Sequence, residues 1–313
     1  MKKILWFVSI FALISCILAG CKSAPKVVED NEVHPLALLD QDASIYVCVP
    51  VSNHKNLVSS LLMKQIEGLS ESNAMSLAER TGNMYVSLGT VKDRSRLQIA
   101  ALASIPKIAV SSAFKKKNGW QAVNVTFAGK SFVYYKHIVS VFQVSLPSSK
   151  ILCAGQNVEP LIQRYAQKAE IPFNPVTEWI NAENKSNDIL FYITRPGQYL
   201  RNLIGQSINV GADAAYGKLI YIQNKKNPSV YSGKYELVFN LHLTDKKAAD
   251  SLKGLLNLSF SMMGGTVRMI DERTIQLSGV EVSQHQIEDL FLRDPITGKH
   301  YKVVNDEVVE EKY

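Results

Sequence analysis

The stretch that decides the fold is DASIYVCVPVSNHKNLV, residues 42–58, because a related stretch, DILFYITRPGQYLRNLI, recurs at residues 188–204. Five positions are identical at a constant displacement of 146: Asp42 and Asp188, Tyr46 and Tyr192, Pro50 and Pro196, Asn56 and Asn202, and Leu57 and Leu203. The apolar pattern around these identities is preserved as well. Each stretch therefore predicts a strand followed by a helix.

A second match lies near the end of each half. Ile151-Leu-Cys-Ala-Gly155 resembles Ile275-Gln-Leu-Ser-Gly279, and each precedes a helix-like stretch. Two matches in the same order predict an internal duplication. The displacement falls to 124 at the second match, so the first copy holds 22 extra residues. Alternating apolar residues between Asn118 and Lys150, with a turn at Ala128-Gly129-Lys130, predict that these residues form an added hairpin.

Helix signals follow pairs of strands in both copies. The apolar stripe from Lys55 to Leu69 predicts a helix after the first strand. In the second copy, Thr244 or Asp245 caps a long helix that stops at Gly264-Gly265, and Ser283 with Gln286 resembles a capping box. Adjacent strand pairs favour antiparallel pairing. The sequence thus predicts an α+β fold made of two similar modules, each an antiparallel sheet with helices packed on one face.

The amino terminus carries an export signal. Lys2 and Lys3 precede an apolar run that is too short to span a bilayer comfortably, and the run ends in Leu18-Ala19-Gly20-Cys21. This ending resembles the lipobox of bacterial lipoproteins. The resemblance implies cleavage before Cys21, lipid such as palmitate on that cysteine, and a membrane-anchored protein on the extracytoplasmic side of the cell envelope. The alternative is an ordinary signal peptide with an incidental cysteine.

The remaining composition predicts how the chain is divided. The predicted parts are a signal peptide at 1–20, a flexible tether at 21–35, a first module at 36–170, a linker at 171–186, a second module at 187–304 and a polar tail at 305–313. Pro172 and Pro175 interrupt the pattern in the linker, where Trp179 is expected to pack the two modules together.

The formal charge of +7 is spread along the chain, and two of its lysines leave with the signal peptide. One dense run, Lys115-Lys116-Lys117, suits either anionic lipid headgroups or another acidic partner, or else the solvated end of a helix. Nucleic acid is not expected as a partner, because the chain is exported and has no recognisable binding motif.

The sequence contains no recognisable catalytic motif, and we therefore predict no catalytic residue, cofactor or metal. His285 and Glu288 share a helix face but lack a third metal ligand. His54 has Leu200 as its counterpart in the second copy, so a shared catalytic role is not indicated. Arg195 precedes a helix, where it suits either an anion or solvent. Cys48 and Cys153 could pair in an oxidising envelope or remain buried free thiols.

Two function classes remain. The first is a non-enzymatic envelope lipoprotein that binds a lipid, a small ligand or an envelope protein partner. Its helices Leu57 to Leu69 and Leu252 to Met263 could cover an apolar cavity or lie against a membrane, although ordinary core packing is the simpler explanation of both. The second is an extracytoplasmic hydrolase with a noncontiguous active site. No motif assigns the mature region to a named family.

Overall fold

A computed structural model of the chain describes residues 33–65, 69–91, 94–106, 114–138, 142–171, 186–194, 196–197, 211–227, 231–262, 264–292, 301–304 and 307–310. Within these ranges twelve strands form one antiparallel sheet. The strands are β1 (Ile45–Pro50), β2 (Thr81–Val91), β3 (Arg94–Ala103), β4 (Trp120–Phe127), β5 (Lys130–His137), β6 (Gln143–Ser145), β7 (Ile151–Gly155), β8 (Ile189–Ile193), β9 (Ala212–Tyr221), β10 (Lys234–Leu243), β11 (Thr266–Met269) and β12 (Thr274–Ser283). A separate hairpin joins β13 (Tyr301–Val304) and β14 (Glu307–Glu310).

Five α-helices lie in the described residues. They are α1 (Lys55–Gln65), α2 (Glu71–Glu79), α3 (Glu159–Gln167), α4 (Lys246–Ser261) and α5 (Gln284–Leu292). Short 3-10 turns cover Pro35–Leu38, Val51–Asn53 and Lys116–Asn118. The α+β class and the antiparallel pairing predicted from the sequence are confirmed.

The strand order is symmetric about the middle of the sheet. It runs β11-β12-β10-β9-β8-β1-β2-β3-β7-β6-β5-β4. Strand β1 pairs with β8 in a register that sets Tyr46 opposite Tyr192, the two residues matched by the sequence displacement. One continuous sheet therefore runs through both predicted modules. The outermost hairpin, β4 with β5, is the added hairpin predicted for the first copy, and Ala128 and Gly129 form its turn.

Most of the helices cover one face of the sheet. Val47 of β1 and Val86 of β2 point to this face, where they join a buried cluster with Leu57 of α1, Ala78 of α2 and Ile287 of α5. Helix α4 covers the same face further along, over β10, β12 and β11, through a second cluster that includes Leu252 and Leu256. Burial of these apolar side chains is the main favourable term in folding.

Helix α3 packs on the opposite face, which the prediction of helices on one face did not anticipate. Leu161 of α3 lies in a cluster with Tyr46 and Cys48 of β1, whose side chains alternate with Val47 and so point to the second face. The turn Pro35–Leu38 fills the same cluster. The predicted tether extends to residue 35, yet Val33 and Pro35 are already buried.

A buried ion pair fastens the amino-terminal segment to α3. The Arg164 guanidinium donates to an Asp40 carboxylate oxygen and, over 2.9 Å, to the carbonyl oxygen of Leu38. The Asp40 backbone N–H donates to Gln98 Oε1 at 2.9 Å, and the Tyr46 hydroxyl donates to the Asp40 carbonyl oxygen. These contacts hold residues 38–40, which follow the predicted tether, against α3 and the sheet.

Some predicted elements differ in extent or cannot be compared. Helix α2 was not predicted, although Ser70 caps it by accepting from the Asn73 N–H. The caps at Asp245 and at Ser283 with Gln286 are confirmed. The sequence also predicts a short helix after Pro106 and a hairpin turn at 294–298. Both segments lie outside the described residues, as do the linker with Trp179 and the helix containing Tyr199.

Candidate functional site

Cys21, the residue that the sequence predicts to carry lipid, precedes the described part of the chain, which begins at Val33. A fully extended chain spans at most about 3.5 Å per residue, so the twelve steps from Cys21 to Val33 reach roughly 40 Å. That reach exceeds the radius of a domain of this size. An anchor at Cys21 alone would therefore not decide which surface of the fold meets a membrane.

Helix α4 is the surface best suited to that contact, and local sequence explains how it forms. The Asp245 side chain accepts a hydrogen bond from the Ala248 N–H at 2.8 Å, which caps the helix. Ala249, Leu252 and Leu256 then recur at helical spacing and are buried against the sheet. The glycines Gly264 and Gly265 follow the end of the helix, and Gly264 has a φ of 76° that favours glycine.

The outer side of α4 is also apolar. Leu255, Leu258 and Met262 follow one another at spacings of three and four residues, so they share one side of the helix. Their exposed fractions are 42%, 73% and 92%. We call these three residues the α4 stripe. Apolar groups this exposed on a helix that already buries its other side are typical of a surface that meets lipid or a partner.

One basic residue, Lys247, shares the side of the α4 stripe. Lys246, Lys247 and Lys253 are exposed on the same helix, against a single acidic residue, Asp250, which lies 3.6 Å from Lys246. Helical spacing places Lys246 and Lys253 on the opposite side of α4 from the stripe, so the apolar surface itself carries little charge. Among the described residues, no helix is both long and apolar enough to cross a membrane.

His54 lies at the junction of the two predicted modules, where α1 of the first meets β10 of the second. The side chain is buried, and its Nε2 donates to the Asn187 carbonyl oxygen at 2.9 Å. Its Nδ1 faces the Tyr235 hydroxyl at 3.5 Å, and that hydroxyl lies 2.9 Å from the Tyr231 hydroxyl. Burial lowers the pKa of His54, against the opposing effects of the Asn187 hydrogen bond and the Asp188 charge. This environment favours the neutral imidazole of His54, which links the two modules through its hydrogen bond to Asn187.

Acidification is expected to weaken this junction. Because the pKa of folded His54 lies below its ordinary value of about 6.5, the unfolded chain takes up a proton before the folded chain does. The contribution of neutral His54 to the free energy of unfolding is therefore complete above pH 6.5 and falls as the pH drops below that value. Urea unfolding at a series of pH values between 7.5 and 5 should show this loss in the parent protein. The loss should be smaller in His54→Gln. If the free energy of unfolding depends equally on pH in the two proteins, His54 is not the group responsible.

Glu288 is buried in the same junction, where both of its carboxylate oxygens accept hydrogen bonds from neighbouring side chains. Lys64 of α1 donates to Glu288 Oε2 at 2.6 Å, and Gln284 donates to Oε1. Burial opposes ionisation of Glu288, but hydrogen bonds from Lys64, Ser60 and Gln284 outweigh it and lower the pKa. In the described ranges, no three His, Cys, Asp or Glu side chains are grouped closely enough to hold a metal ion.

The two cysteines of the core, Cys48 and Cys153, are buried, and no disulfide joins them. Strands β2 and β3 lie between β1, which carries Cys48, and β7, which carries Cys153. Three strand spacings correspond to roughly 14 Å, twice the distance that a disulfide can bridge. Burial also raises the pKa of the Cys153 thiol, which disfavours the reactive thiolate.

The lysine run lies at the start of β4, away from α4. Lys115, Lys116 and Lys117 are exposed just before β4, where Lys116 begins a 3-10 turn. Arg195 and Trp179 lie outside the described residues, so their expected roles stay predictions.

The exposure of the α4 stripe could not be predicted from the sequence. Both sides of the helix carry apolar residues at helical spacing, so the pattern does not show which side is buried.

Solved structures share this fold. Crystal form I of TP0453 matches with a TM-score of 0.64 at 15% identity and covers 84% of this chain and 98% of that chain. Crystal form III matches with a TM-score of 0.61 at 16% identity, over 84% and 99% of the two chains. Crystal form IV matches with a TM-score of 0.58 at 16% identity, over 83% and 96%. No curated protein matches the chain.

A family model supplies what the sequence motifs did not. The model described as "Outer membrane-associated lipoprotein TP0453" matches residues 30–288, which include most of the mature region. The mature region therefore does have a family, contrary to the expectation from motifs alone. The match also agrees with the lipoprotein signature at Cys21, which lies outside the matched residues and was identified independently. The chain belongs to the outer membrane-associated lipoprotein TP0453 family.

Proposed function

We propose that this protein is a non-enzymatic envelope lipoprotein, tethered by lipid on Cys21 and lying against the membrane through the α4 stripe. The observation that carries the proposal is the exposure of Leu258 and Met262 on a helix whose other side is buried. The family supports a lipoprotein of the cell envelope. The lipid on Cys21, the extracytoplasmic side and contact through α4 are our inference.

The energy of this contact is large enough to matter. Burying a leucine or methionine side chain contributes about 1.5–3 kcal/mol, so Leu258 and Met262 together would contribute roughly 3 kcal/mol or more. One lipid chain alone gives only marginal membrane binding. A protein surface that adds this much would fix the orientation of the fold at the membrane, which the long tether leaves open.

Replacing Leu258 and Met262 with glutamine is expected to weaken membrane binding about 100-fold. The test uses the mature chain from residue 21 with Cys21→Ser, so that binding does not depend on lipid modification. Flotation with vesicles of phosphatidylglycerol and phosphatidylcholine measures the bound fraction. Leu290→Gln is the matched control, because Leu290 is 64% exposed on a different helix, α5. Equal binding by L258Q/M262Q and the control would refute contact through α4.

The hydrolase alternative is less well supported by the geometry. His54 is 1% exposed and contacts a backbone carbonyl and a tyrosine, so it cannot serve as a base for a bound substrate. Cys153 is fully buried with a raised thiol pKa. The His54 imidazole and the Cys153 thiol are thus both enclosed in the core. Hydrolysis of a generic ester by the purified chain, abolished by a single substitution of a described residue, would restore the alternative.

We also infer that the two modules arose by duplication, with boundaries near residues 170 and 187. The support is the matching order β1-β2-β3-β7-β6 and β8-β9-β10-β12-β11, read outward from the centre of the sheet. The two sequence matches fall on equivalent strands in this order, β1 with β8 and β7 with β12. A crystal structure should superpose the two sets by a half-turn about an axis between Tyr46 and Tyr192. Failure to superpose would count against duplication.

A further inference from the structure

Among the described residues, strand β4 ends the sheet, and one of its two edges has no neighbouring strand. The pairing of β4 with β5 shows which backbone groups face that edge. Trp120 lies opposite His137, while the Ile138 N–H donates to the Gly119 carbonyl oxygen at 2.8 Å, so Trp120 and His137 form a non-hydrogen-bonded pair. Hydrogen-bonded and non-hydrogen-bonded pairs alternate along the strand. The N–H and C=O groups of Ala122, Asn124 and Thr126 therefore point away from β5.

This edge lacks the features that usually prevent strand addition. The strand WQAVNVTF has no charged residue and no proline, and its register with β5 is unbroken. Ala122, Asn124 and Thr126 are all exposed. The opposite edge of the sheet, β11, has only four residues, and one of them is Arg268. The β4 edge is thus the longer and less protected end of the sheet.

An aromatic cleft of about 420 Å³ opens at the start of β4. It is lined by Phe114, Lys116, Trp120, Gln121, Ala122 and Ile138. Phe114 packs edge-on against Trp120 with ring centroids 4.7 Å apart, and it stacks on Tyr135 at 5.1 Å. These contacts hold the wall of the cleft rigid. Ile138 is 60% exposed at its rim, which leaves an apolar surface open to a side chain from outside.

Three unpaired cations adjoin the cleft. Lys115, Lys116 and Lys117 are exposed, and in the described part of the chain none has an acidic partner within 4 Å. A strand that added antiparallel to β4, as all its neighbours in the sheet pair, would run toward Trp120. Its carboxyl-terminal end would then pass the cleft and reach the lysines. Acidic residues at that end would complement the three charges.

We propose that the β4 edge binds an extended segment of an envelope protein partner. The segment pairs antiparallel with Ala122, Asn124 and Thr126, places an apolar side chain in the aromatic cleft, and carries acidic residues after that side chain. Strand addition of this kind takes its affinity from backbone hydrogen bonds and its specificity from pockets beside the edge. A lipid headgroup would engage the lysines but would leave the three outward N–H groups unused, so the geometry favours a polypeptide.

The test uses a defined probe, the blocked peptide Thr-Val-Thr-Val-Thr-Phe-Asp-Asp-Asp with a fluorophore at its amino terminus. Fluorescence anisotropy at low salt measures its binding to the mature chain carrying Cys21→Ser. Binding is expected for this peptide. At least tenfold weaker binding is expected when its three aspartates are replaced by lysines or moved to the amino terminus.

Variants separate the three parts of the surface. Asn124→Pro removes one outward N–H and should abolish binding, whereas Asn124→Thr keeps the N–H and should bind as the parent does. Changing Lys115, Lys116 and Lys117 to glutamate should weaken binding about tenfold or more, while K225E/K226E, on an exposed loop elsewhere, should not. Ile138→Glu tests the cleft at an exposed position and remains informative if the proline variant fails to fold.

Three results would overturn the proposal. Peptide binding that persists in both Asn124→Pro and Ile138→Glu would place the probe elsewhere. Binding of phosphatidylglycerol vesicles that needs the three lysines, with no binding of the peptide, would assign the surface to lipid. Self-association in the ultracentrifuge that Asn124→Pro abolishes, again without peptide binding, would make a second copy of the chain the occupant. None of these outcomes depends on the α4 stripe, so this test and the test of the proposed function fail independently.

Discussion

Replacing Arg164 with leucine is expected to lower the free energy of unfolding by about 3–5 kcal/mol. The Asp40 side chain is 7% exposed, and its partner Arg164 is 23% exposed, so water cannot replace the lost guanidinium. The Leu38 carbonyl oxygen loses a hydrogen bond at the same time. A buried carboxylate left without its partner is among the most destabilising changes known in protein cores. Segment 33–40 should detach from α3 as a result.

Urea unfolding monitored by circular dichroism measures the effect of Arg164→Leu. Arg268→Leu is the control, because Arg268 is exposed and contacts only Gln276 within the described residues, so we expect a change of about 0.5 kcal/mol. The double variant Asp40→Leu with Arg164→Leu should recover much of the loss, since apolar pairs often replace buried ion pairs at little cost. If Arg164→Leu alone is as stable as the parent, water solvates Asp40 and the ion pair with Arg164 is not buried.

Replacing Tyr46 with alanine is expected to cost a further 3–5 kcal/mol by a different mechanism. Tyr46 is 0% exposed in the middle of the sheet, where β1 pairs with β2 on one side and β8 on the other. Truncation leaves a cavity between Tyr85, Leu190 and the turn Pro35–Leu38, because strands fixed on both sides cannot close it. It also removes the hydroxyl that donates to the Asp40 carbonyl oxygen.

Two variants separate the cavity from the hydrogen bond. Tyr46→Phe keeps the ring and should cost only about 1–1.5 kcal/mol. Tyr192→Ala removes the matched tyrosine of the second copy, which is only partly buried, so the expected loss is smaller than for Tyr46→Ala. Because Tyr46 and Arg164 both contact Asp40, their losses should not add. Additive losses would mean that Asp40 does not couple the two residues.

Several parts of the fold could be predicted because their signals are local. Apolar and polar residues alternate along much of β10, which indicates a strand. Helix α4 begins at the Asp245 cap, and the capping box joins Ser283 to Gln286, only three residues away. The hairpin of β4 and β5 was located by the 22 residues that distinguish the two copies. Helix α2 was missed, although Ser70 offers a cap, because only two of its nine residues, Ala74 and Ala78, are buried.

Other features depend on contacts between distant residues. The sequence cannot tell whether Cys48 and Cys153 pair, since that depends on the two strands that lie between them. It cannot show that α3 packs on the second face, because an amphipathic helix fits either face of a sheet. The aromatic cleft likewise joins Phe114 to Tyr135 across a turn and a hairpin.

By itself, the sequence determined the α+β class and most of the strand and helix segments, and it predicted the export signal and the lipobox, because each depends on the order of neighbouring residues. Only the tertiary structure decided that one sheet runs through both modules, that Leu258 and Met262 face outward, and that the outward groups of β4 have no partner among the described residues. Burial and strand pairing are set by residues far apart in the chain. A local pattern can identify apolar residues, but only the packed fold determines which of them remain exposed.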